Sequence, residues 1–149
     1  MPSIKVYIKK ISSKSDFKLP NYETKGAAGM DLSADIESEV ILKPLERSLI
    51  PTGIAISLPK DLEAQIRPRS GLAIKHGISI LNTPGTIDSD YRGEIKVILV
   101  NLSNDNYTIK PQDRIAQIIF SQFVTGEFDI VENLDETDRG DSGFGSTGK

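Results

Sequence analysis

The chain contains no cysteine and no tryptophan, and it has a single histidine and two methionines in 149 residues. Without cysteine there is no disulfide framework, no thiolate metal site and no cysteine nucleophile. One histidine, His76, excludes most histidine-based metal sites and argues against a Ser-His-Asp triad. It reads as a residue at a helix end. No apolar run approaches the ~18 residues that a membrane-spanning helix needs. The start, residues 1–6, lacks the apolar stretch of a secretion signal. Basic runs are missing too: 18 Lys and Arg stand against 21 Asp and Glu, for a net charge of −3. A nucleic-acid polymer is therefore not an expected partner. The expectation is a soluble, cytoplasmic protein with no membrane partner.

What is present is β-pattern along nearly the whole length. Alternation of period two runs through Ile4, Val6 and Ile8, and again through Leu62, Ala64 and Ile66. Short apolar runs follow at 40–42, 49–50, 53–58, 78–81, 95–100, 107–109, 115–120 and 128–131, separated by turn signals such as Lys43-Pro44, Pro59-Lys60-Asp61 and residues 103–106. About ten short strands at this spacing describe an all-β sandwich, barrel or jelly roll. The length suits one domain with a real core. No repeat and no linker is visible.

Three segments carry more than fold. Residues 67–77 break the strand pattern: Ser70 stands at a plausible N-cap, helix formers follow, and Gly77 stands where a helix stops. A helix of one to two turns there would offer the N–H groups of Gly71 and Leu72 beside the Ser70 hydroxyl and Arg67 and Arg69, which suits a phosphate. A capped connector with arginines facing water fits as well. Residues 83–94 form a hairpin tip between apolar strands at 77–81 and 94–100, and that tip carries Asp88, Asp90 and Tyr91 behind the apolar Ile87. Read alone, it is equally a plain turn. The end, residues 138–149, is rich in Gly, Ser and charge and reads as a disordered tail. Yet Phe144 between two glycines, with Arg139 upstream, can also order over a ligand, the ring stacking on a planar base and the arginine meeting phosphate.

Together these segments resemble the trimeric dUTP pyrophosphatases, the dUTPase family. Five motifs occur in order: Ala-Gly-Met-Asp-Leu-Ser-Ala-Asp at 28–35, Arg-Pro-Arg-Ser-Gly-Leu-Ala at 67–73, Asn-Thr-Pro-Gly-Thr-Ile-Asp-Ser-Asp-Tyr-Arg-Gly-Glu at 82–94, Asp-Arg-Ile-Ala-Gln-Ile-Ile-Phe at 113–120 and Arg-Gly-Asp-Ser-Gly-Phe-Gly-Ser-Thr-Gly at 139–148. The resemblance implies a β-jelly-roll or distorted barrel with one short helix. It implies a single domain over 1–149, with a β core over 1–132 and a flexible C-terminal arm over 133–149. It also implies a homotrimer with active sites shared between subunits. The implied reaction is hydrolysis of dUTP to dUMP and pyrophosphate with Mg²⁺, which limits uracil in DNA and supplies dUMP for dTMP synthesis.

Residue by residue, the resemblance makes Asp88 the acid that activates water, with Asp90 its rival two residues away. Asp31 is similar to the acid that holds the metal through water. Arg69, Ser70, Gly71 and Gln117 look like the phosphate contacts, whereas Arg114 reads as structural or interfacial. Asn82, with backbone groups of Gly85 and Ile87, would read the uracil edge, and Tyr91 would pack beneath the deoxyribose and refuse a 2′-hydroxyl. Arg139, Phe144, Gly145 and Ser146 would close over the nucleotide. Two other readings share the scaffold: a dCTP deaminase, and a non-enzymatic nucleotide-sensing or interaction protein. The sequence at 86–91 and the glycine-rich tail speak against the first, and the presence of Asp88 against the second.

Overall fold

A computed structural model describes residues 3–146. Eleven strands and one helix follow in order: β1 (Tyr7–Lys10), β2 (Gly29–Ser33), β3 (Val40–Leu42), β4 (Arg47–Pro51), β5 (Ile54–Ser57), β6 (Leu62–Arg67), α1 (Ser70–His76), β7 (Ile78–Ile80), β8 (Gly85–Ile87), β9 (Lys96–Asn101), β10 (Tyr107–Ile109) and β11 (Arg114–Gln122). All pairings are antiparallel, in sheets ordered β2-β11-β6-β8, β4-β9-β7, β1-β5 and β10-β3. This is the distorted jelly-roll barrel that the sequence leads one to expect.

The alternation that marks β6 in the sequence is the alternation of its environment. Leu62, Ala64 and Ile66 are buried while Glu63, Gln65 and Arg67 are not, because successive side chains point to opposite faces of a sheet. Beside them in the same sheet, Ile115, Ala116 and Ile118 of β11 enter the same core as Leu32 of β2 and Leu99 of β9. One polar side chain lies fully inside. Asn101 donates to the carbonyls of Leu42 at 2.9 Å and Asp105 at 2.7 Å, and accepts from the N–H and hydroxyl of Ser103 at 2.9 and 2.8 Å. It thereby ties the end of β9 to β3 and to the 103–105 turn, with every polar atom of its amide satisfied.

Several local expectations shift. The first strand begins at Tyr7 rather than Ile4, and β2 and β8 form where the sequence shows a motif and a turn. Both open on glycine, whose strand propensity is low, and both are held by long-range pairing to β11 and β6. Ser70 is not the N-cap of α1. That position belongs to Arg69, extended at φ −91° and ψ 127°, and no side chain caps the helix. Serine is favoured as a cap only where its hydroxyl can reach back to the free N–H groups, and here it starts the first turn instead. Gly77 ends the helix as expected, in the left-handed region at φ 65°. Residues 128–131 form no strand: Phe128 and Ile130 are both 100% exposed, because no strand of their own chain lies beside them. No regular element follows Gln122 among the described residues. Thr147, Gly148 and Lys149, part of the expected arm, lie outside the described residues.

Candidate active site

Apart from those of the C-terminal arm, the expected site residues gather in two clusters. The first lies across β2, β11 and the start of α1. Register places Asp31 opposite Gln117, and Gln117 opposite Arg67. Asp31 Oδ1 accepts from Arg69 Nε at 3.1 Å and its Oδ2 from Arg114 Nη1 at 3.2 Å, while Arg69 Nη1 donates to the Arg114 carbonyl at 3.0 Å. A shift of register between Arg114 and Ala116 interrupts the ladder with β2 at this carbonyl; such a bulge redirects backbone groups out of the sheet. Gln117 Nε2 donates to Pro68 O at 2.9 Å, pinning the segment that leads into Arg69. A Cβ at Gly29 would fall 2.7 Å from Gln117 Oε1, so glycine there makes room for this amide. Above Gly71 a Cβ would meet nothing within 4 Å, so the backbone at the start of α1 faces open space.

The electrostatics of this cluster centre on Arg69. The half-buried Asp31 carboxylate stands between two guanidinium groups and Glu23 lies 3.8 Å from Arg114, so two acids balance two arginines, and it is the outer N–H groups of Arg69, beyond its bonds to Asp31 and to the Arg114 carbonyl, that are left to bind an anion. A recess of about 350 Å³ opens beside Asp31 and Arg114, lined by both apolar side chains, Phe17 and Leu19 among them, and charges of both signs, Lys14 and Lys18 with Glu23 and Asp35. Among the described residues no three acidic or histidine side chains converge as a metal cage. Asp31 is the acid at hand, and since each of its oxygens already accepts a guanidinium, it suits a hard cation reached through water rather than bound directly.

The second cluster is the 81–95 segment between the paired strands β7 and β9. It does not form a free hairpin tip, because β8 turns aside to pair with β6. There β8 is the outermost strand of its sheet, so the backbone along its outer edge has no strand partner. Gly85 is buried, and a Cβ on it would sit 3.3 Å from Asn82 Nδ2, so the Asn82 amide lies against the start of β8. Asp88 follows directly and is exposed, with no hydrogen bond or ion pair to its carboxylate among the described residues. Asp88 O accepts from Tyr91 N at 3.1 Å, closing a turn through Ser89 and Asp90. Tyr91 Oη donates to Glu94 O at 2.9 Å, and Glu94 Oε1 accepts from the Gly53 amide at 3.0 Å.

Within one chain the two clusters approach where Gly85 pairs with Ile66, next to Arg67, but their acids stand far apart. Ile87 pairs with Ala64 and that with Phe120, whereas Arg67 pairs with Gln117 and that with Asp31. Asp88 therefore stands four residues along and three strands across from Asp31. At ~3.3 Å per residue and ~4.8 Å per strand that is roughly 20 Å. The described part of the arm, through Ser146, joins neither cluster. Arg139 Nε donates to Ser142 O at 2.9 Å, Ser146 N donates to Gly143 O at 3.0 Å, and Phe144 lies fully exposed.

Two supports escape sequence reasoning. His76, at the end of α1, packs its ring 5.1 Å from that of Tyr107, and burial, then Asp113, raises the Tyr107 phenol above its ordinary value. Gly93 and Glu94 hold Tyr91; the Gly-Glu pair after the tyrosine is their only trace in the sequence.

Comparison with known proteins bears on the family and the fold. The family model described as dUTPase matches residues 15–148. The deoxyuridine 5'-triphosphate nucleotidohydrolase of Finegoldia magna is 62% identical over 139 residues, covering 93% of this chain and 97% of that protein. Its namesake from Fusobacterium nucleatum is 58% identical over 140 residues, covering 94% and 96%. In fold the chain is similar to the Staphylococcus bacteriophage 80alpha dUTPase solved with dUpNHpp, with a TM-score of 0.86, 24% identity and coverage of 99% and 100%. It is also similar to a dUTPase of phage phi11, whose structure describes the coordination of a structural Mg(II) ion, with a TM-score of 0.78, 21% identity and coverage of 89% and 100%.

Proposed function

From the premise that this chain belongs to the dUTPase family, we propose how its residues carry the family's reaction. The protein is a dUTP diphosphatase: it hydrolyses dUTP to dUMP and pyrophosphate. In the proposed mechanism the Asp88 carboxylate accepts a proton from water as the water oxygen attacks the α-phosphorus. The bond from that phosphorus to the oxygen bridging the α- and β-phosphates breaks, and pyrophosphate leaves with the electron pair. Asp88 suits the task because nothing else among the described residues claims its carboxylate, and because it follows directly on the paired strand β8, which fixes its backbone.

Charge builds on the departing pyrophosphate, and the donors around Arg69 answer it. Arg69 offers its unused N–H groups, the Ser70 hydroxyl and Gly71 amide stand beside it, and Gln117 keeps one amide N–H free after bonding Pro68. Mg²⁺, when bound, would supply charge neutralisation on the phosphate oxygens, with Asp31 holding it through water. The outer edge of β8 and the Asn82 amide offer donors and acceptors to the edge of uracil. Cytosine would leave some of them unpaired, at about 1–3 kcal/mol per buried group. Tyr91 bounds the sugar, and Arg139, Phe144, Gly145 and Ser146 close over the nucleotide.

The observation that carries the assembly is the separation of roughly 20 Å along the sheet between Asp88 and Asp31 on one chain, at the sheet spacings given above. An acid that activates water at the α-phosphorus and an acid that holds a phosphate-bound metal through water must stand closer than that, so the hairpin of one subunit works with the Asp31 cluster of another, in a homotrimer. Two further features support association. An apolar recess of about 150 Å³, lined by Val6, Ile8, Met30, Ile56, Ile118 and Phe120, lies open on the barrel. The exposed Phe128 and Ile130 have no seat on their own chain. The test is incubation with dUTP and Mg²⁺. Release of pyrophosphate, with dCTP, dTTP and UTP turned over poorly, supports the reading; release of ammonia from dCTP would replace it with deamination.

A further inference from the structure

We propose that Gly93 is a specificity-determining position: by lacking a side chain it lets Tyr91 fold back over its own backbone, and that folded ring is the wall that refuses a ribose. The inference rests on the reading of Tyr91 as the residue bounding the sugar. The phenol oxygen donates to the carbonyl of Glu94, three residues on, at 2.9 Å. A ring held by so near a partner must cross residue 93. An ideal Cβ there would fall 2.6 Å from Tyr91 Cζ and 3.0 Å from Cε2, and would also press on the phenol oxygen. Real Cβ atoms do not approach so closely, and the three nearest heavy atoms all belong to this one ring.

The backbone itself does not demand glycine. Gly53, Gly77, Gly140 and Gly145 have positive φ, and Gly93 is not among them. An alanine at 93 therefore has one clash to relieve, with the movable end of Tyr91, and the ring must lift away while the strands stay in place. The anchor on the other side is firm. Glu94 is joined through its carboxylate to the Gly53 amide at 3.0 Å, and the next residue, Ile95, is fully buried. The carbonyl that receives the phenol is thus fixed to the barrel, and the position of the ring is set by two things: that carbonyl and the empty space at residue 93.

The test is Gly93→Ala, with kcat/KM measured separately for dUTP and UTP. The UTP-to-dUTP ratio is expected to rise on the order of tenfold, the scale on which a displaced pocket wall alters discrimination, with little change in melting temperature. Tyr91→Ala should raise the same ratio, and adding Gly93→Ala to it should change nothing more, since the clash needs the ring. Tyr91→Phe, which keeps the ring and removes its tether, should give an intermediate ratio. If Gly93→Ala lowers both substrates equally, or Tyr91→Ala moves the ratio and Gly93→Ala does not, residue 93 has no part in sugar choice and the inference falls while the reading of Tyr91 stands. If Tyr91→Ala leaves the ratio unchanged, that reading fails and takes the inference with it. Should Gly93→Ala fold poorly, recovery of folding in Tyr91→Ala/Gly93→Ala supports the clash as the cause, and continued misfolding overturns it.

Discussion

Replacing Asn101 with alanine should cost this protein a large part of its stability while leaving its chemistry intact. The side chain is fully buried and makes four hydrogen bonds, none of them to either half of the site. Truncation orphans the Leu42 carbonyl and the Ser103 N–H beside the core, at about 1–3 kcal/mol each. The Asp105 carbonyl and the Ser103 hydroxyl lie nearer the surface, where water replaces the lost partner. The void adds a further increment, so the total is about 3–7 kcal/mol. For a chain of this length that lowers the melting temperature on the order of 10 °C. The assay is thermal unfolding followed by circular dichroism, at matched protein concentration because the proposed assembly would contribute to apparent stability. The kcat of the folded fraction at 25 °C should match the parent. A fall of under about 2 °C would mean that the network is not holding β9, β3 and the 103–105 turn together.

Other outcomes follow from the site. Asp88→Asn keeps shape and hydrogen bonding but removes the proton acceptor, so kcat should fall by roughly 10²–10⁴ with substrate affinity little changed; near-normal turnover there, together with a loss in Asp90→Asn, would transfer the role to Asp90. Arg69→Gln should weaken binding of a non-hydrolysable dUTP analogue, and Arg114→Gln should weaken it less. In the Arg69→Gln background the second change should add little, because the Arg114 side chain reaches Arg69 only through the Asp31 carboxylate that both hold; fully additive effects in calorimetry would show that Arg114 acts on its own. Deleting the chain from Arg139 onward touches no strand, so melting temperature and assembly should hold while activity is mostly lost. Phe144→Ala should cost about 0.5–1.5 kcal/mol of that, and full activity in the truncated protein would reduce the arm to a plain tail.

Much of the barrel was legible because its strands follow local rules. Leu62, Ala64 and Ile66 alternate with polar neighbours, and the chain folds them inward in that order. Gly77 stops α1 by the conformation that glycine favours. What was not legible depends on partners distant in sequence. Gly29 and Gly85 begin strands only because β11 and β6 offer them ladders. Phe128 and Ile130 read as strand from composition, but a strand needs a neighbour, and their own chain provides none. The site behaves likewise. Asp31, Arg69 and Arg114 lie 38 to 83 positions apart from Asp31 onward, so no local pattern joins them; the order of the motifs named the residues, and only the fold showed Asp31 held between two arginines.

The separation of the two clusters has a genetic consequence. On the proposed assembly, a chain damaged at Asp88 still lends a sound Asp31 cluster, and a chain damaged at Arg69 still lends a sound hairpin. Two inactive gene products mixed in equal amounts before assembly would then rebuild intact sites at roughly one interface in four, by random pairing around a closed ring. Conversely, one defective copy in a cell spoils sites that its healthy neighbours would otherwise complete. A division of labour drawn across a sheet thus decides whether a mutation is masked or dominant.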